Sequence, residues 1–194
     1  MRFPLIRSTA IAAILVGAGD ASAQIVQAPG APINGICVYS ESALLGQSAA
    51  GVAANRQLAQ LQQSVNAQIV AMRDKIVADS RALAAQKGQL SAAAYNQQTA
   101  DLQRRANDLQ SLTQTRNNQL NRTRDQGIAQ ISTAALPLFN AAVAEHHCAI
   151  VLDKTPVYTV NPAMDLTGEI ISRLNTKLPS ISLQLAAPQA PPAS

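Results

Sequence analysis

The sequence predicts an α+β protein, a small β-containing head that carries one long antiparallel helical hairpin. From Val52 to Leu136 there is no proline and there are only two glycines. Proline costs about 3 kcal/mol and glycine about 1 in a helix interior, so a segment that avoids both is written as long helix. One glycine, Gly88, lies near the middle of the stretch and is followed by the cap-like Ser91, where the helix is expected to turn and come back. Short strand-like segments bracket the excursion, Gly35-Ile-Cys-Val-Tyr39 before it and Cys148-Ala-Ile-Val-Leu152 after it. Such a shape holds something; it does not build an enzyme pocket.

Residues 1–23 have the layout of a cleavable export signal. Arg2 and Arg7 form a basic start, Ile11–Val16 a short apolar core, and Ala21-Ser22-Ala23 the small-residue cleavage pattern. The apolar run is far shorter than the roughly 20 residues that a span requires. The mature chain is therefore expected to begin at Gln24, in the periplasm, and no other stretch is expected to cross a bilayer. It has no tryptophan and four aromatic residues, Tyr39, Tyr95, Phe139 and Tyr158. That composition suits helices burying narrow seams, or a chain that completes its core by oligomerising.

Charge is unevenly distributed. Between Asn55 and Arg124 ten Lys and Arg stand against four Asp, whereas the rest of the mature chain has three bases and six acids. The arms are basic and the head is mildly acidic, a field that speeds encounters with acidic partners. A merely solvated basic surface is the plainer reading.

Element by element, 24–34 is a flexible leader with Pro29, Gly30 and Pro32. In the strand, Ile36 and Val38 share one face, Cys37 and Tyr39 the other. Helix is expected to start between Ala43 and Ala49. The outbound helix has its seam at Leu58, Leu61, Val65, Ile69, Met72, Ile76 and Leu83, and the returning helix at Leu90, Leu102, Leu109, Leu112, Leu120, Ile128, Ile131 and Leu138. The seam is leaky: Asp79 occupies a seam position, Arg116 and a run of Asn and Gln interrupt the return, and salt-bridged heptads are missing. Pro137 is expected to kink or break the returning helix near Thr133–Ala134. Ala149–Leu152 reads as a strand buried on both sides, and Val157–Val160 as another. Asp165–Leu174 reads as an amphipathic helix capped by Asp165 or Thr167, burying Leu166, Ile170, Ile171 and Leu174. The parts are thus a head (35–47 and 137–178), an arm (48–136, tip near 87–91) and a flexible Pro/Ala-rich tail (179–194).

Taken together, the signal sequence, the opening strand, the long basic hairpin and the C-terminal run Ile150-Val-Leu-Asp153, Val157-Tyr158, Asp165-Leu-Thr167, Ile170-Ile171 and Leu174-Asn175 resemble the Skp/OmpH family of periplasmic chaperones. The resemblance covers roughly Gly35 to Leu178. It implies a jellyfish-like homotrimer whose strands form a shared β-barrel head, with the hairpins projecting as coiled-coil arms around a cavity. It also implies an ATP-independent holdase that captures unfolded outer-membrane β-barrel proteins and prevents their aggregation. The competing reading is a structural or adaptor hairpin of the cell envelope that binds one folded partner. A holdase protects several unrelated unfolded membrane proteins, and an adaptor ignores them.

Two cysteines in an exported chain suggest one disulfide. The family layout brings the strands bearing Cys37 and Cys148 together, so these two are the candidate pair, with buried free thiols as the alternative. His146-His147-Cys148 lacks any usual metal-ligand spacing, so no metal or other cofactor is expected. The catalytic motifs are missing as well, so the chain is not read as an enzyme. Candidates for client or anion contact are Arg73, Lys75, Arg81, Lys87, Arg104, Arg105 and Tyr95. Lipopolysaccharide or anionic lipid could serve there as well as acidic client side chains. Nucleic acid is a poor partner for an exported chain with so few aromatics.

Overall fold

Two four-residue strands organise the head. In the computed structural model, which describes residues 30–189, β1 (Ile36–Tyr39) and β2 (Ile150–Asp153) pair in parallel, from Ile36 opposite Ile150 to Tyr39 opposite Asp153. Parallel strands need a crossover between them. Here the crossover is a short helix α1 (Glu41–Gln47) of the head, followed by the two long helices that make the arm, α2 (Ala49–Ala85) and α3 (Ala92–Glu145). A 3-10 turn at Pro162–Met164 leads into α4 (Thr167–Lys177). The export signal lies outside the described residues.

Serine sets each entry into the arm. Ser40 accepts the Ala43 N–H at 3.1 Å, Ser48 the Gly51 N–H at 3.1 Å and Ser91 the Ala94 N–H at 3.2 Å, each satisfying a donor that the first helical turn leaves free. The sequence suggested a single start between Ala43 and Ala49. Two are found, because Ser40 and Ser48 both cap and the chain bends between them. Gly51 makes the bend feasible: a Cβ there would stand 1.9 Å from the Leu45 carbonyl oxygen.

At 37 and 54 residues, α2 and α3 are about 55 Å and 80 Å long. Val65, Ile69 and Leu83 are buried along α2, but Met72, expected in the seam, is 41% exposed; the buried stripe passes from Ile69 towards Ile76 and skips it. On α3 the buried stripe runs Gln119, Thr123, Gly127, Ile131, Ala135, an unbroken four-residue step through positions that look like leaks in the sequence. α3 also passes through Pro137 without a break. Pro137 and Thr133, whose carbonyl loses its partner, are both exposed, so water can satisfy the orphaned oxygen. An 18-residue stretch of α3 has a mean hydropathy of 1.3 and, by length and composition alone, could cross a membrane, contrary to the expectation above. Part of the apolar character of α3 is used in the head, where Ile131, Ala135 and Ala142 are buried.

The head core joins Leu44 of α1, Ala50 of α2, Ile131 and Ala142 of α3, and Leu166, Ile170 and Leu174 at α4. Tyr39 and Phe139 close it with ring centroids 5.1 Å apart. Ser40 donates its N–H to Thr167 Oγ1 at 3.0 Å and Asn175 accepts the Ala49 N–H at 2.7 Å, fixing α4 to both helix starts. Asp165 accepts the Thr167 N–H at 2.9 Å, but the amphipathic helix itself starts two residues later than its sequence suggests, at Thr167, with Leu166 rather than Asp165 or Thr167 as its cap residue.

Three further expectations are corrected. Residues 157–160 form no strand: Asp153 closes a turn by accepting the Thr155 N–H at 2.8 Å, and the free edge of β1 is taken instead by Asp165, which bridges to Val38. Tyr158 is left fully exposed. β2 is not covered on both sides; Ile150 is 53% and Leu152 46% exposed, because β2 is the outer strand of a two-stranded sheet. Finally, the C-terminal segment is not free over residues 181–186. Ile181, Leu183 and Ala186 are buried against the arm, held by Gln57, Gln119 and Thr123. The leader's last residues are exposed yet anchored, with Asn161 Nδ2 donating to the Gly30 carbonyl at 2.9 Å.

Candidate functional site

The arm offers a largely solvent-facing surface. Val70, Met72 and Val77 on α2 are each 41–44% exposed. They sit beside polar positions along the helix. Near the tip α2 and α3 flank a cleft of about 780 Å³, lined by Asp79, Leu83, Gln98, Leu102 and Arg105 among others.

The basic candidates fall into two sets. Arg105 crosses from α3 to Asp79 of α2 at 2.7 Å, and Lys75 reaches the same carboxylate at 3.5 Å. Arg104 pairs with Asp101. Hydrogen bonding from Arg105 holds the Asp79 carboxyl below its ordinary range, against a smaller opposing effect of burial and with Lys75 helping. Lys87 lies 5.9 Å from the centre of the Tyr95 ring, a cation–π distance. Arg73 and Arg81 are exposed, and among the described residues neither has a carboxylate partner. The sequence grouped these six cations; the structure separates the four engaged by a carboxylate or an aromatic ring, Lys75, Lys87, Arg104 and Arg105, from Arg73 and Arg81, which face solvent.

At the base, Cys37 and Cys148 are joined by a disulfide, with Cα atoms 5.8 Å apart. It ties β1 to the residue that leaves α3. The helix end beside it is a Schellman motif: the Cys148 N–H bonds to the Val143 carbonyl at 3.0 Å and the His147 N–H to the Ala144 carbonyl at 3.2 Å. His147 occupies the left-handed position of this motif, with φ of 52°, where glycine is usual. His146 instead contacts Glu169 at 2.8 Å, and Arg173 reaches both Glu145 and Glu169. The His-His-Cys run thus ends a helix and contacts α4. Among the described residues no three His, Cys, Asp or Glu side chains are grouped to hold a metal ion.

The contact that sequence reasoning missed is the tail on the arm. Its signal was present: the alternation Ile181-Ser-Leu183-Gln is strand-like, and Gln57, Gln119, Thr123 and Gly127 recur on the faces that receive it.

Comparison with known proteins gives the architecture its context. No curated protein matches the chain. A crystal structure of an OmpH-like outer membrane chaperone from Caulobacter crescentus CB15 is similar, with a TM-score of 0.78 and 26% identity, over 82% of this chain and 94% of that one. The model of the family described as outer membrane protein (OmpH-like) matches residues 35–174, from the start of β1 to the core of α4. The chain belongs to the OmpH-like outer membrane protein family.

Proposed function

We propose that this protein is an ATP-independent holdase chaperone of the periplasm, a homotrimer whose arms surround unfolded outer-membrane β-barrel proteins and keep them from aggregating. The observation that carries the reading is the incomplete burial of the arm. It stands away from the head with a narrow seam and with Val70, Met72 and Val77 open to solvent. A holdase binds unfolded chain in preference to folded chain and lowers the free concentration that aggregates. Many weak apolar contacts on long supports suit a large, mobile client.

Trimerisation is supported by the edge of β2. Ile150 and Leu152 expose apolar surface on a strand with an open ladder, and unpaired edges of this kind are normally covered. Strands from neighbouring copies closing into a shared barrel would cover it. Export to the periplasm agrees with the disulfide at the base, which an oxidising compartment maintains. Arg73 and Arg81 are available for acidic client segments, or for the phosphates of lipopolysaccharide or anionic lipid, and contact there is expected to weaken as salt rises.

The test is turbidity of urea-unfolded outer-membrane barrel diluted into buffer with the purified mature chain. Suppression at about one trimer per client, without ATP and for unrelated barrels, is expected. Aggregation at the uncatalysed rate rejects the reading.

A further inference from the structure

The tail lies in a groove between α2 and α3, and its contacts have an unusual character. Gln57 Nε2 donates to the Ile181 carbonyl at 2.6 Å while Gln57 Oε1 accepts the Leu183 N–H at 2.8 Å. One side-chain amide thus engages the backbone on either side of Ser182, the pairing that a residue of a neighbouring parallel strand makes. Further along, Gln119 Nε2 donates to the Ala186 carbonyl and Thr123 Oγ1 accepts the Ala186 N–H at 2.9 Å. Both polar atoms of one peptide residue are satisfied by the arm. Every one of these bonds is to backbone, so none depends on which side chains the guest carries.

Side chains enter by pattern. Ile181 and Leu183 point inward and are buried, while Ser182 between them and Gln184 after them are exposed. Gly127 provides the floor, since a Cβ there would lie 3.3 Å from Leu183 Cδ2 and 3.7 Å from Ile181 Cδ1. Apolar and polar residues alternating over short segments are the signature of membrane β-barrel strands. The tail carries a short stretch of this alternation, over Ile181–Leu185, before Ala186 also turns inward.

We infer that this groove is a binding site for strand-patterned segments of unfolded polypeptide, and that residues 181–187 are its resident competitor. The inference rests on the holdase reading for the identity of the guest, and it adds where and by what chemistry one segment is held. A tethered tail acts at an effective concentration on the order of millimolar. It therefore keeps weak or wrongly patterned segments out while yielding to a long client that also contacts the arms. The apparent affinity of the groove is reduced by the fraction of time it is closed.

The test uses full-length mature chain and a fluorescein-labelled peptide with the sequence of residues 180–187, read by anisotropy. A control peptide has the same composition with its apolar residues contiguous. Ile181→Asp with Leu183→Asp releases the tail and is expected to tighten binding of the patterned peptide about tenfold, with no gain for the control. Adding Gly127→Val to that variant fills the floor and is expected to remove the gain. Equal binding of both peptides, or no gain on release, overturns the inference.

A second measurement needs no variant. Amide exchange at Leu183 and Ala186 in the wild-type chain should rise on addition of unfolded barrel protein, and unchanged exchange with client bound overturns the inference. The two readings fail separately. A chain that protects barrels with its tail amides undisturbed loses the groove and keeps the holdase. A chain that binds the patterned peptide but lets barrels aggregate loses the holdase and keeps the groove.

Discussion

Asp79 of α2 and Arg105 of α3 meet at 2.7 Å across the arm, just inside the tip. In sequence, Asp79 interrupts an apolar seam. In the structure it is the polar rivet of that seam, about a third exposed like its partner and shared with Lys75.

The rivet sets a pH dependence. The Arg105 hydrogen bond lowers the Asp79 pKa from its ordinary 3.8. The ordering it contributes is therefore complete above that ordinary value and is lost as pH falls through the lower folded value. Asp79→Asn is expected to reduce amide protection at residues flanking the tip at pH 7, with the overall melting temperature nearly unchanged, as for other exposed pairs. The difference between variant and parent should vanish in acid and shrink in high salt. Equal tip protection in the two proteins at pH 7 and low salt would show that the pair orders nothing.

Two glycines in helices make contrasting predictions, one a large loss and one near-neutral. Gly51→Ala puts a Cβ 1.9 Å from the Leu45 carbonyl, a backbone atom that cannot yield alone. Despite alanine's better helix propensity, the loss is expected to be about 3 kcal/mol by urea unfolding, at the upper end for overpacking. Gly127→Ala meets only the tip of the Leu183 side chain at 3.3 Å, so the propensity gain of about 1 kcal/mol largely offsets the displacement.

His147 invites a substitution that stabilises. It holds a φ of 52° at the end of α3, a conformation that costs a side-chain-bearing residue about 1–2 kcal/mol. His147→Gly is expected to raise stability by about 1 kcal/mol in the same urea titration. A loss of stability would mean that the imidazole makes a contact outweighing the strain.

The disulfide spans 111 residues of sequence. The chain-entropy relation gives such a loop about 5 kcal/mol at most. Intact mass should rise by two hydrogens on reduction, and the urea midpoint should fall. Alkylation of both cysteines without reductant would place them free in solution.

Much of the fold is legible because it is local. The absence of proline and the position of Gly88 foretell two long helices, and Leu166, Ile170 and Leu174 repeat at helical period and are buried. What escapes the sequence depends on what comes to lie alongside. Gln119, Thr123 and Gly127 look like defects in a coiled-coil seam until Ile181, Leu183 and Ala186 are placed on them. Val157–Val160 has strand composition, but the edge it would join is already taken by Asp165. Of the candidate contact residues, the sequence gives their basic character and not their pairing, because Arg105 and Asp79 are brought together only when the arm folds back.

The most direct measurement is the mass of the mature chain by light scattering coupled to size exclusion, taken alone and after mixing with one urea-unfolded outer-membrane barrel. The account predicts a trimer that elutes earlier than a compact particle of its mass, and a soluble complex of one trimer with one client. A monomer at micromolar concentration, or client lost to the void volume while the chain elutes unchanged, would contradict it.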